Sequence, residues 1–236
     1  MPKALATPST RSYSRPPKSA LETHVREPAY ERGDLRNALV LEGRRMFEES
    51  GAAELSLRAL ARRLGVSEAA PSRHFSGKDD LLAAIARCGL EELAAQRKQI
   101  AAQQLAALPK AREMMLSYVS YAQRHAGLFD LMTGPRLIQV FRRGDLEISS
   151  DVSYSFFADA VFELALESGW SRGQLNHLSH AAWSMEHGVA ALLLAGRTPR
   201  TDSSLDAQHM IEFSIDLFLT AVVAGPDAYM RTSESN

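Results

Sequence analysis

The chain has a single cysteine, Cys88, in 236 residues. One thiol cannot form an internal disulfide, and no cysteines and histidines stand at zinc-finger spacing, so a reducing, cytoplasmic setting is expected. Aromatic residues are scarce at 7%, with only two tryptophans. No run of about eighteen apolar residues occurs, and the first residues lack the apolar core of a secretory signal, so no membrane association is expected. There is no glycine-rich phosphate loop, nucleophile elbow or HExxH pair, which leaves no motif for an enzyme and none for a cofactor. Nor is there an excess of one charge: 27 Lys and Arg stand against 28 Asp and Glu, a net charge of -1. Any recognition of a polyanion must therefore come from local patterning. Two-residue alternation and hairpin turn signals are missing as well, which excludes an appreciable sheet. What remains is 45% hydrophobic and 23% charged, ordinary globular values in a chain long enough for a sizeable core.

The most informative stretch is 54–75, ELSLRALARRLGVSEAAPSRHF. Leu57, Leu60, Ala61 and Leu64 recur at i, i+3, i+4 and i+7, one face of a short helix that Ser56 would cap. Gly65 follows, where a left-handed residue ends the helix, and Val66 can plug the turn beneath it. Ser67 would cap a second short helix over 68–74, with Pro71 near enough to its start to be tolerated. Two short helices around a glycine-containing turn form a helix-turn-helix, whose second helix can enter the major groove. Between 56 and 78, Arg58, Arg62, Arg63, Arg73 and Lys78 face only Glu68, a local balance of +4 on a chain of -1. A basic cluster of this kind marks a place where phosphates are neutralised.

These residues resemble the TetR family of bacterial transcription regulators. The resemblance spans 35–85 through Phe47 and Gly51, then SLRALARRLGVS, SRHF and KDDLL. Further on, HAGLFDLMTG at 125–134 and WSMEHG at 183–188 are similar to a TetR C-terminal domain type with a Trp, His, Gly signature. The resemblance implies contacts to double-stranded operator DNA from Arg58, Ser67, Glu68, Ala69, Ala70, Ser72, Arg73, His74 and Lys78. Of these, Ser67, His74, Lys78 and Arg58 fall at backbone-contacting positions. The family often has Tyr where this chain has Ser72, so sequence preference cannot be carried over from relatives.

The expected architecture is all-α, in which a three-helix head is joined by a long helix to a helical bundle for ligand sensing and dimerisation. The boundaries are a Pro-, Ser- and Arg-rich arm over 1–33, the head over 34–80, the bundle over 81–225 and a tail over 226–236. Helices are expected over 34–50, 56–64, 68–74, 76–106 and 109–125. A short helix lies between Gly127 and Gly134, then a loop over 136–150, and helices over 151–168, 171–195 and 205–223. Asp79 could reach back to Ser76, and Gln174 to Ser171, as capping boxes.

Both terminal helices carry two apolar stripes, which calls for two packing partners. One is the domain core, and the other is the same pair of helices from a second subunit, with Leu178, Val189, Leu194, Ile211, Ile215, Phe218 and Val222 as interface candidates. Met114, Tyr118, Tyr121, Phe129, Met132, Phe156, Phe157, Trp183 and His187 fit a small-molecule cavity, although core packing is the default reading of such a set. His177 and His180 with Glu186 could approach a metal, but nothing completes the set and no metal is assigned. The resemblance thus implies a homodimeric repressor released from a palindromic operator by a small-molecule effector. A regulator or architectural protein of the same fold without an inducer, and a helical carrier in which the helix-turn-helix is incidental, remain as alternatives.

Overall fold

The computed structural model describes residues 32–134, 145–196 and 206–234. The expected arm up to residue 31, most of the 136–150 loop, residue 205 at the start of the last expected helix and the last two residues lie outside them. Among the described residues every regular element is helical: α1 (Arg32–Glu54), α2 (Leu57–Leu64), a 3₁₀ turn (Pro71–Arg73), α3 (Lys78–Ala101), α4 (Ala107–Arg124), α5 (Ala126–Thr133), α6 (Asp145–Glu167), a second 3₁₀ turn (Arg172–Gln174), α7 (Leu175–Leu194), α8 (Ala207–Val223) and α9 (Gly225–Glu234). None of these helices is long and apolar enough to cross a membrane.

The head follows the capping chemistry closely. Ser56 Oγ accepts from the Ala59 N–H at 3.1 Å to open α2. At its end Gly65 is left-handed at φ 66, and the Val66 N–H donates to the Ala61 carbonyl at 3.0 Å, the bond that satisfies an otherwise orphaned carbonyl. Gly51 breaks α1 at φ 72, so the last residues of α1 run in a new direction instead of stopping at 50 as expected.

The segment expected to form a helix over 68–74 is instead a series of turns closing in one 3₁₀ turn. Its bonds are i to i-3: Ala70 N–H to Ser67 O at 3.0 Å and His74 N–H to Pro71 O at 3.0 Å. Ala70 keeps helical backbone at φ -62, ψ -46, but Pro71 has no N–H to donate back to Ser67, so the i to i-4 ladder is interrupted at this point.

Beyond the head, differences concern where helices begin and stop. Asp80, not Asp79, accepts from the Ser76 N–H at 2.8 Å ahead of α3. The single helix expected over 76–106 ends at Ala101, and α4 already begins at Ala107, with Pro109 in its first turn where no donor is required. α6 starts at Asp145, inside the expected loop. The capping box of Ser171 and Gln174 forms as expected and leads into α7. The expected tail is largely the helix α9, anchored where Tyr229 meets the Trp170 ring at 6.0 Å and the Trp170 indole N–H donates to the Val222 carbonyl at 2.8 Å.

Two apolar cores result. The first joins the head to the α5 corner through Leu39, Phe47, Leu60, Phe75, Leu81, Ile85, Leu128 and Met132. The second fills the bundle through Met114, Met115, Phe157, Val161, Ile211 and Ile215. α3 and α5 pack tightly at Gly89, where a Cβ would lie 2.6 Å from Met132 Sδ and 3.0 Å from a Leu128 methyl. Gly89→Ala is therefore expected to cost about 1–3 kcal/mol through overpacking, read as a lowered thermal midpoint. An unchanged midpoint would show that α5 is free to move away from α3.

Candidate nucleic-acid interface and effector cavity

In the head, Ser67, Glu68, Ala69, Ser72 and Arg73 are exposed after α2, and Arg58 is exposed at its front. Arg58 lies 3.7 Å from the Glu68 carboxylate, a loose surface pair that nucleic acid could displace. His74 is half-buried. Ala70, expected to touch bases, is buried at 7% exposure because the tight turn folds it inward beside Pro71. The Arg36 guanidinium sits 5.2 Å from the Phe75 ring centre, which ties the start of α1 to the end of this segment.

The basic cluster divides into two sets. Arg63 is held behind the helix-turn-helix by Glu42 at 2.8 Å and Glu49 at 3.1 Å, so its charge is already neutralised. The Lys78 ammonium donates to the Ala52 carbonyl beyond the kink in α1, which gives it a structural task alongside any phosphate contact. Arg62 and Arg73 are exposed, and neither has an ion-pair partner among the described residues. Among the described residues of the helix-turn-helix, the exposed positive charge not tied up in this way therefore centres on Arg58, Arg62 and Arg73.

In the bundle, an open cavity of about 410 Å³ is lined by α3, α4, α5, α6 and α7. Of the residues expected to line a pocket, Tyr118, Met132, Trp183 and His187 do so. Phe129 stands behind them, its ring 5.2 Å from Tyr118 and 5.9 Å from His187. Met114 and Phe157 are instead wholly buried in the second core, and Phe156 packs against it. Tyr121 faces the head, donating to Glu92 at 3.2 Å. Tyr118 and His187 share a bond of 2.9 Å; burial raises the phenol pKa and lowers that of the imidazole, so both are neutral.

Sequence reasoning missed the polar wall. Arg97 lines the cavity at 2% exposure and pairs at 2.6 Å with Glu186, which is 0% exposed. The Arg97 guanidinium also lies 5.2 Å from the Tyr118 ring centre and 4.8 Å from that of Phe157. Ser153, Tyr154 and His180 complete this wall. Burial pushes the Glu186 carboxyl up to about 7 against the opposing pull of Arg97. A signal was present: Leu90, Leu93 and Arg97 continue one helical face, so the arginine stands in an apolar stripe. Among the described residues no three His, Cys, Asp or Glu side chains converge as metal ligands.

α3 runs from the head to this wall, with about 18 Å of helix between Ile85 and Arg97. It is not the only link. α5 supplies Met132 and Thr133 to the cavity, and a Cβ on its Gly127 would lie 3.6 Å from Phe47 of α1. His125, just before α5, lies 3.1 Å from Glu48, and Arg44 bridges Glu48 and Glu92.

Two family descriptions match this chain. Residues 39–85 match bacterial regulatory proteins of the tetR family, and residues 111–218 match the tetracyclin repressor-like C-terminal domain. The chain belongs to the TetR family. The protein is a DNA-binding transcriptional regulator, and neither match is to an enzyme family. It is similar to a protein of unknown function from Rhodococcus sp. RHA1, with 26% identity, a TM-score of 0.69 and coverage of 83% of this chain and 98% of the other. The fold is shared with the TetR family transcriptional regulator PfmR from Thermus thermophilus, at 21% identity, TM-score 0.56 and coverage of 77% and 97%. It is shared also with a TetR/AcrR family regulator from Thermobifida fusca, at 18% identity, TM-score 0.59 and coverage of 79% and 97%. No curated protein matches the sequence.

In this TetR-family chain the terminal helices use their stripes in the opposite sense to that expected. Val189, Ile211, Ile215 and Val222, expected at an interface, are buried in the chain's own second core, and Leu194 packs on the first. The outward side instead carries Leu192 at 50%, Phe213 at 69% and Leu217 at 58% exposure. Leu178 and Phe218 are half-buried and line an apolar groove of about 700 Å³ with Trp170 and Tyr229. Because both stripes are apolar, periodicity alone could not say which one faced in.

Proposed function

We propose that this TetR-family regulator is a cytoplasmic homodimeric repressor, released from a palindromic operator by a small molecule bound in the cavity beside Trp183 and His187. The observation that carries this reading is that α3 and α5, which wall the cavity, are the elements packed on the head. A ligand that shifts either one changes the separation of the two heads. Half-sites on one face of DNA lie about 34–36 Å apart, so a displacement of a few ångströms loses simultaneous docking. The exposed apolar side of α7 and α8 supports a two-fold interface, since a monomer rarely leaves such a face in water. The Trp, His, Gly motif at 183–188 would then build the cavity wall, with Trp183 and His187 one helical turn apart.

Selection of bound sequences from a random DNA pool tests the DNA half of this reading, and a palindrome with one-turn spacing is expected. Asymmetric or unselected sequences would refute it. For the effector half, titrations with and without operator must show reciprocal weakening.

The division of the basic cluster gives a sharper expectation. Arg62→Ala and Arg73→Ala should each reduce the slope of log affinity against log salt by about one wherever they neutralise a phosphate. If Arg73 reads a base, its loss should cost about 1–3 kcal/mol at particular operator positions instead. Arg63→Ala should leave the slope unchanged, because Glu42 and Glu49 already hold its charge. A reduced slope for Arg63→Ala would show that DNA draws this arginine away from its carboxylates.

A further inference from the structure

The helix-turn-helix carries one carboxylate among its cations. Between 56 and 78 Glu68 is the only acid, and it is exposed, as Arg58, Arg62 and Arg73 are. Its ion-pair partner is Arg58, at 3.7 Å, with 62% of the Glu68 side chain and 79% of the Arg58 side chain in solvent. That separation is too long for a hydrogen bond, and an exposed pair of this kind adds little to stability. The fold therefore gains little from a glutamate here, while a carboxylate brought up to a duplex is repelled by its phosphates. The repulsion is offset only where the groove answers with a donor.

The shape of the segment narrows what can read bases. The turns over 67–74 bury Ala70 and Pro71 and half-bury His74, which leaves Ser67, Glu68, Ala69, Ser72 and Arg73 exposed. Only Glu68 and Arg73 among these five have long side chains. Their chemistry is opposite, since a carboxylate only accepts hydrogen bonds and a guanidinium only donates them.

The base edges complete the choice. In the major groove guanine N7 and O6, adenine N7 and thymine O4 are acceptors that repel a carboxylate, and only cytosine N4 and adenine N6 donate. The adenine amino group lies between adenine N7 and thymine O4, so a carboxylate that approaches it meets an acceptor on each side. The cytosine amino group has guanine O6 on one side and the C5–H edge on the other. Cytosine is therefore the base that a carboxylate meets at the lowest cost.

We propose that Glu68 sets operator specificity by accepting a hydrogen bond from the N4 amino group of a cytosine, leaving Arg58 for a phosphate. This rests on the reading of 67–74 as the segment that enters the major groove.

Pools of random duplex DNA bound by the 236-residue chain and by its Glu68→Ala and Glu68→Gln variants test it. The wild type should select a cytosine at one position of each half-site. Glu68→Ala should lose that preference and keep the others, and Glu68→Gln, which can donate to N7 while accepting from N6, should turn it toward adenine. On the selected operator, cytosine to thymine at that position should weaken the wild type about tenfold and leave Glu68→Ala unaffected. Random-sequence duplex should bind Glu68→Ala several-fold more tightly than wild type, because a repelled charge has gone. Arg58→Ala is the contrasting variant: it should select the same bases with a salt slope lower by about one. An unchanged preference in Glu68→Ala, or a change equal across all sequences, overturns the base contact and leaves Glu68 as a brake on Arg58. A Glu68-dependent position occupied by adenine, guanine or thymine overturns the choice of cytosine. A wild type that selects no sequence overturns this proposal together with the operator reading, whereas a wild-type palindrome that Glu68→Ala reproduces overturns this proposal alone.

Discussion

Leu217→Glu is expected to sediment as a monomer at micromolar concentration and to lose operator affinity by about a hundredfold or more, while keeping a wild-type far-ultraviolet helical signal. Leu217 is 58% exposed on α8, so a glutamate there is harmless to an isolated subunit. In a two-fold interface it would occur twice near the axis, buried without a cation, and each copy would cost about 3 kcal/mol or more. Operator affinity falls with it, because two tethered heads reach their half-sites at a high effective concentration that a monomer lacks. Phe213→Glu should behave the same way. Ile215→Glu is the contrasting case: Ile215 is 0% exposed in the second core, so that variant should fail to fold instead of dissociating cleanly. A Leu217→Glu protein that remains dimeric would move the interface elsewhere.

How much of this was legible beforehand depends on which physical signal a residue carries. Ser56 and Gly65 announced α2 because caps and left-handed turns are local, set by one residue and its neighbours. The all-α architecture and the placement of Tyr118, Met132, Trp183 and His187 were also readable, through periodicity and the family resemblance. Pro71 was visible too, but its tolerance near a helix start was overvalued, since the segment is too short to contain any turn beyond the one that proline disrupts. The choice between Ile215 and Leu217 was out of reach, because the two point to nearly opposite sides of a helix that is apolar on both. Arg97 and Glu186 are 89 positions apart, and nothing local could announce their pairing. An arginine on the face that continues from Leu90 and Leu93 was the available hint that a buried countercharge had to exist.

That pair gives the last prediction. Arg97→Met should lower stability by about 3–5 kcal/mol at pH 8, because the buried Glu186 loses its cation and must either stay charged without a partner or take up a proton against the pH. The double variant Arg97→Met with Glu186→Leu should recover most of that loss, since two apolar side chains of similar size remove the desolvation problem altogether. The pH dependence carries a definite sign. Burial raises the folded-state pKa of Glu186 to about 7, above its value of about 4.5 in the unfolded chain. A raised carboxyl pKa means that the folded state holds the proton more tightly, so the stability linked to Glu186 is fully present below about pH 4.5 and is lost as pH rises through about 7. Without Arg97 the carboxyl should hold its proton to still higher pH, so the Arg97→Met deficit should shrink at pH 5 and be greatest at pH 8. Chemical denaturation of the wild type and both variants at those two pH values decides it. A single-variant deficit that is equal at pH 5 and pH 8 would mean that Glu186 finds another partner or water when Arg97 is gone, and that the cavity wall is more polar and more open than its burial implies.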